Sequence, residues 1–182
     1  MTLFPFDELN TVLEALPLQL ALSKKDEIED DIEELLIMSY VYGGDSAGYD
    51  LNITPKTDVD KLEAALNKDI DGKTYKDRLD EYIPQGNYED IKRVVETETH
   101  RLYVTGQFDT AKTMPQVLKK WQTMKDERVR ATHDYLEGEE RNIDEPFFTF
   151  DGDSAMFPGD FTLAENNVAC RCILEFRYKD VE

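Results

Sequence analysis

Positive charge is scarce in this chain: 21 lysines and arginines stand against 40 aspartates and glutamates, for a formal net charge of −19. Phosphate binding needs clustered Lys and Arg, so no direct binding of duplex DNA is expected. Any role near a genome must rest on local patches or on protein partners. Cysteine is almost missing as well. Cys170 and Cys172 are the only two, too few for a disulfide scaffold and suited to a reducing compartment. The longest apolar run, at residues 35–38, is far short of the ~20 residues of a membrane span. Residues 1–10 carry two acidic side chains and no basic one, which is not the pattern of a signal peptide. The chain also lacks a Gly-rich phosphate loop, an H-E-x-x-H and a G-x-S-x-G, so no enzyme is expected.

What is present is enough for a core: hydrophobic residues make up 40% of the 182 positions and aromatics 10%, a folded composition. The first half reads as helices. Residues 6–22 carry Leu9, Val12, Leu13, Leu16 and Leu20 at helical spacing, with Pro17 expected to kink or divide them. Ser23 is placed to cap a second helix over 24–42, with Ile28, Ile32, Leu35, Leu36 and Tyr40 as its inner stripe. The acidic residues between them, from Asp26 to Glu34, suit a solvated face. Gly43 and Gly44 are expected to end that helix. An irregular stretch follows at 49–54, then short helices around Leu62 and over 75–83, which Pro84 and Gly86 stop. The composition shift at 84–87 is the expected seam between a helical region, 1–86, and a second region, 87–182.

Asn87 can cap a long helix from Tyr88 to about Lys112, with Ile91, Val94, Val95, Leu102 and Phe108 as its stripe. Glu98 falls inside that stripe with Arg101 three residues on, within ion-pair reach, and a carboxylate there needs a partner if buried. Beyond Pro115 the period changes to strands. These are 117–124 with Trp121 inward, 146–151, and 170–178 with Cys170, Cys172, Leu174 and Phe176 on one face. Between them Asp126 is expected to cap a short helix reaching Leu136, closed by Gly138. The fold class is therefore α+β: a helical amino-terminal half, a long helix, and a small antiparallel sheet with one short helix.

Several of these pieces stand in a familiar order. Thr97, Glu98, Arg101 and Gly106 are followed by Trp121, then by Asp126, Arg128, Arg130 and His133 at D-x-R-x-R-x-x-H spacing. Next come Leu136 and Gly138, the Asp144 to Phe147 run D-E-P-F, then Pro158, Gly159 and Asp160, and finally Cys170 and Cys172 in C-R-C. From about Val94 to Phe176 the chain resembles the phage Mu F-like head-morphogenesis family. The resemblance implies a minor head protein that acts in virion assembly through contacts with portal or capsid proteins. It also implies a location in the virion or the infected bacterial cytoplasm. Longer members carry toxin or ADP-ribosyltransferase modules after this domain; only six residues follow Phe176, so no such module is expected, and the resemblance leaves as an alternative a free-standing module of a toxin-carrying relative. Glu96, Val104 and Ala169 depart from the family's Arg, Asn and Asn, so roles of those residues do not carry over. The first half resembles nothing familiar.

One constellation leaves two readings open. His133 shares a helical stripe with Val129 and Leu136, and Cys170 and Cys172 share a strand face that should pack on it. Residues i and i+2 on a strand lie about 6.5 Å apart, so a mutual disulfide is not expected. The trio can be buried reduced thiols beside a structural histidine, with no cofactor. Alternatively it can hold a structural zinc, with Asp126 or Asp160 as fourth ligand, or found a small metal-dependent enzyme. The aromatics Phe147, Phe148, Phe150 and Phe157 serve as core or as docking anchors.

Overall fold

The computed structural model describes residues 6–179. Five helices come first: α1 Phe6–Ala21, α2 Lys25–Leu51, α3 Val59–Leu66, α4 Tyr75–Tyr82 and α5 Tyr88–Ala111. They are followed by β1 Val117–Gln122, α6 Ala131–Asp134, β2 Glu140–Asn142, β3 Phe147–Phe148, β4 Ser154–Ala155, α7 Ala164–Asn167 and β5 Ile173–Tyr178. This is the α+β architecture expected from the sequence. The sheet is antiparallel in the order β2-β1-β5, with Lys119 opposite Phe176 and Trp121 opposite Leu174, while β3 and β4 form a separate hairpin.

Two apolar clusters hold the chain together. The first joins Leu16 of α1, Ile28, Ile32, Leu35 and Leu36 of α2 and Leu79 of α4 to Ile91, Val95 and Leu102 of α5. The second joins Ala47 and Leu51 of α2 and Tyr103, Val104 and Phe108 of α5 to Trp121, Leu136, Phe147, Phe161, Leu174 and Phe176. Both α2 and α5 therefore feed both clusters, and the turn at 84–87 lies between α4 and α5 without separating one core from the other. The acidic run of α2 is exposed or half-buried on the outer face, as expected of a solvated stripe.

Four local expectations need correction. Pro17 does not divide α1, which continues to Ala21; a missing N–H removes one bond of the ladder, and Leu9 and Leu16 still bury against α2. Ser23 does not cap α2. It takes a left-handed φ of 54° in the turn, and Lys24 is the N-cap, without a side-chain hydrogen bond. Gly43 and Gly44 do not end α2, which runs on to Leu51 and stops at Asn52 in the left-handed conformation. Here the glycines give proximity instead of termination. A Cβ on Gly43 would lie 1.8 Å from the Tyr103 carbonyl oxygen, and one on Gly106 would lie 1.9 Å from that of Tyr40, so α2 and α5 cross with their backbones in contact. Finally, the strands are shorter than their patterns. β1 ends at Gln122, β3 at Phe148, and Cys170 and Cys172 precede β5.

Candidate functional site

Asn87 caps α5 as expected, its side chain accepting from the Asp90 N–H, and α5 carries Glu98 and Arg101 one turn apart on a buried face. Arg101 donates to Glu98 Oε2 through Nε at 2.8 Å and through Nη2 at 2.7 Å, and to the Ala65 carbonyl of α3 at 2.8 Å. Glu98 lines a cleft of about 230 Å³ together with Arg78, Thr97 and Asn167. The turn of Pro158, Gly159 and Asp160 closes over this pair. Gly159 has φ +89°, and a Cβ there would meet Arg101 Cγ at 3.2 Å, so the glycine is needed for both conformation and space. Asp160 pairs with Lys68 and accepts from the Met156 N–H at 3.0 Å. The motif pieces Glu98, Arg101 and Pro158 to Asp160 are thus one assembly tying α3, α5 and the C-terminal loops together.

The second assembly centres on His133. Its Nδ1 lies 3.6 Å from Cys170 Sγ and 3.5 Å from Cys172 Sγ, and all three side chains are buried. The ring is stacked on Phe161 at 5.2 Å and meets Trp121 edge-on at 5.5 Å. Nε2 is buried without a hydrogen-bond partner among the described residues. The hydrogen bond between the two cysteines splits their titration, pulling Cys170 down and pushing Cys172 up, with burial adding to the rise at Cys172. An opening of about 10 Å³ reaches the trio, rimmed by Met124, Arg128, Arg130 and Arg171.

Asp126 is not part of this group, contrary to the expectation that it caps a helix and supplies a ligand. The cap of α6 is Arg130, without a side-chain bond. Both Asp126 oxygens are taken by the Arg171 guanidinium at 2.7 and 2.8 Å, and one also accepts from the Arg128 N–H. Arg171 holds the Asp126 carboxyl at about 2. Because the folded value lies below the 3.8 of an ordinary aspartate, this pair supports the fold above about pH 4, and the support fades as the pH falls toward 2. Asp126→Asn is therefore expected to lower stability modestly at pH 7 and to flatten the acid limb of a stability–pH curve, parent and variant converging as the pH falls toward 2. An unchanged acid limb would show that the pair is not coupled to folding. Arg128 points to solvent beside Asp126, while Arg130 donates to the carbonyls of Glu165 and Val168 and so fastens α6 to α7. Asp160 lies with Lys68 and is likewise outside the His133 group.

Three features escaped the sequence. Lys119 is fully buried on the inner face of β1, its Nζ donating to the Met156 carbonyl at 2.7 Å between the rings of Phe108 and Phe147, and burial pulls it down to about 8. His100 is buried against the Cys172 backbone, and burial draws it down to about 4. Asp153 accepts from the N–H groups of Ser154, Thr162 and Leu163 and from the Asn166 amide. Burial pushes its carboxyl up, and these donors outweigh that and leave it below the usual range. The alternation of β1 placed Lys119 inward, and that was the signal available for it. A D-G-D run followed by Asn-Asn carries no comparable pattern.

Among the described residues Glu98, Arg101, Asp126, Arg130 and Asp160 are engaged by neighbouring side chains and backbone within one α+β domain. A family model described as Phage Mu protein F like protein matches residues 59–175, and the chain belongs to that family. The match begins at α3, so it takes in part of the helical half that resembled nothing familiar. Over 81 residues the chain is 35% identical to minor head protein GP7 of Bacillus phage SPP1, covering 43% of this chain and 26% of that protein. Over 92 residues it is 37% identical to NAD(+)–arginine ADP-ribosyltransferase EFV of Enterococcus faecalis, covering 48% of this chain and 19% of that protein. The chain thus spans about a quarter or less of these relatives. No solved structure matches it.

Proposed function

We propose that the chain acts in head assembly as a minor head protein, docking onto a portal or capsid protein and catalysing no reaction of its own. The membership in the Mu F-like family supports the assembly role, and one surface observation supports docking. Phe147 and Phe157 are core, but Phe148 is 55% exposed, Phe150 61% and Tyr135 64%. Phe148 and Phe150 share the outer face of the β3 segment, and Tyr135 meets the Phe150 ring at 5.9 Å. Clustered, exposed aromatics are costly in water and act as anchors when a partner covers them. The net charge of −19 favours a partner with a basic or neutral docking face and disfavours duplex DNA. No helix of the described residues is long and apolar enough to cross a membrane.

The likeness to an ADP-ribosyltransferase covers a fifth of that protein, and the motif residues that carry the family resemblance here are engaged in packing and ion pairs. The chain alone is therefore proposed to lack transferase activity. Co-expression with the portal protein and recovery of a complex tests the role, with the aromatic variants described in the Discussion as its control.

A further inference from the structure

We propose that His133, Cys170 and Cys172 form a binding site for one zinc ion, independent of the docking role. Two distances and the shared burial of the three side chains carry this. A tetrahedral zinc with bonds of about 2.3 Å to sulfur and about 2.05 Å to nitrogen sets its nitrogen and sulfur ligands about 3.5 Å apart. Nδ1 of His133 lies 3.6 Å from Cys170 Sγ and 3.5 Å from Cys172 Sγ, and all three atoms fall within 4.8 Å of one another. Both sulfurs lie at nearly the same distance from Nδ1, whose single lone pair accepts from only one S–H, so the three donor atoms converge on one point. An ion among them uses that lone pair and both sulfurs at once.

The fourth position falls to water. The opening of about 10 Å³ onto the trio is near the smallest volume that holds one water molecule, and neither Asp126 nor Asp160 reaches the group. The nearby arginines do not forbid the ion. Binding Zn²⁺ forms two Zn–S bonds and one Zn–N bond and releases both thiol protons, so the centre becomes neutral beside them. The ligands are also fixed from outside. The His133 ring is wedged between Phe161 and Trp121, and Arg171, between the cysteines in sequence, is held by Asp126. Such a centre would link the segment leading into β5 to α6 across the second core cluster.

The test uses the full chain purified without chelators or metal-affinity resin. Elemental analysis is expected to find about one zinc per chain. After the metal is stripped, titration with Co²⁺ is expected to give a thiolate-to-cobalt charge-transfer band and the visible bands of a tetrahedral ion, saturating near one equivalent and displaced by zinc. Cys172→Ala and His133→Phe should each abolish the bands. The cobalt titration of the unmodified protein stands even where a variant fails to fold. A protein that holds no zinc as purified and shows no tetrahedral cobalt bands on titration would overturn the site, leaving two buried thiols beside a histidine. Neither outcome bears on docking to a portal or capsid protein.

Discussion

Gly43→Ala is expected to destabilise the fold severely, at a cost of about 4–5 kcal/mol or more, a large share of the roughly 5–15 kcal/mol that holds a domain folded. The added methyl would lie 1.8 Å from the Tyr103 carbonyl oxygen and 2.7 Å from its carbon. These are backbone atoms of a helix and cannot turn aside as a side chain can. The helices would have to part by more than an ångström, and gaps of 0.5–1 Å already forfeit a quarter to a half of each van der Waals contact. Because α2 and α5 supply both core clusters, that loss spreads through the molecule. Helix propensity acts the other way by only ~1 kcal/mol. Gly106→Ala, 1.9 Å from the Tyr40 carbonyl oxygen, should fail in the same manner, whereas a Cβ on Gly72 meets nothing within 4 Å. Gly72→Ala should therefore cost only its left-handed strain of ~1 kcal/mol. Urea unfolding followed by circular dichroism distinguishes them, and a Gly43→Ala protein as stable as the parent would refute the close crossing.

Glu98→Ala is expected to cost about 3–5 kcal/mol by stranding Arg101, whose side chain is 2% exposed. The Ala65 carbonyl would still accept from Nη2, but Nε would lose its partner. Replacing both members by apolar residues of similar volume, as in Glu98→Leu with Arg101→Met, should recover most of that loss, since the pair's own attraction mainly offsets its desolvation. A Glu98→Ala cost under ~0.5 kcal/mol would mean that the pair is effectively solvated.

How far the sequence revealed this molecule follows from which rule governs each element. The stripes of α2 and α5, the Asn87 cap and the inward side chain of Trp121 follow from periodicity and local hydrogen bonding, and all were legible. The Glu98 and Arg101 pair was legible for the same reason, as a charged residue at an apolar position with a partner one turn on. Gly43 and Gly44 were misread because a glycine that ends a helix and one that admits another backbone look identical until the second helix is placed. Asp126 was misread because its partner, Arg171, lies 45 residues away, beyond any local rule. His133 and the two cysteines came together as the alternation of the last strand implied, although neither cysteine lies within β5 itself. The network around Asp153 depends on a loop whose path no period predicts.

The central claim, assembly through an exposed aromatic face, is tested most directly in the phage itself. Heads produced with the unmodified chain and with Tyr135→Ser, Phe148→Ser and Phe150→Ser combined would be purified and the protein in them quantified by mass spectrometry. These side chains are mostly exposed, so the combined variant should fold with an unfolding midpoint close to the parent's. The account predicts that the unmodified chain is found in heads and that the variant's incorporation falls at least ~10-fold, a loss of ~1.4 kcal/mol or more in docking. Equal incorporation of the folded variant, or no chain in heads at all, would contradict it.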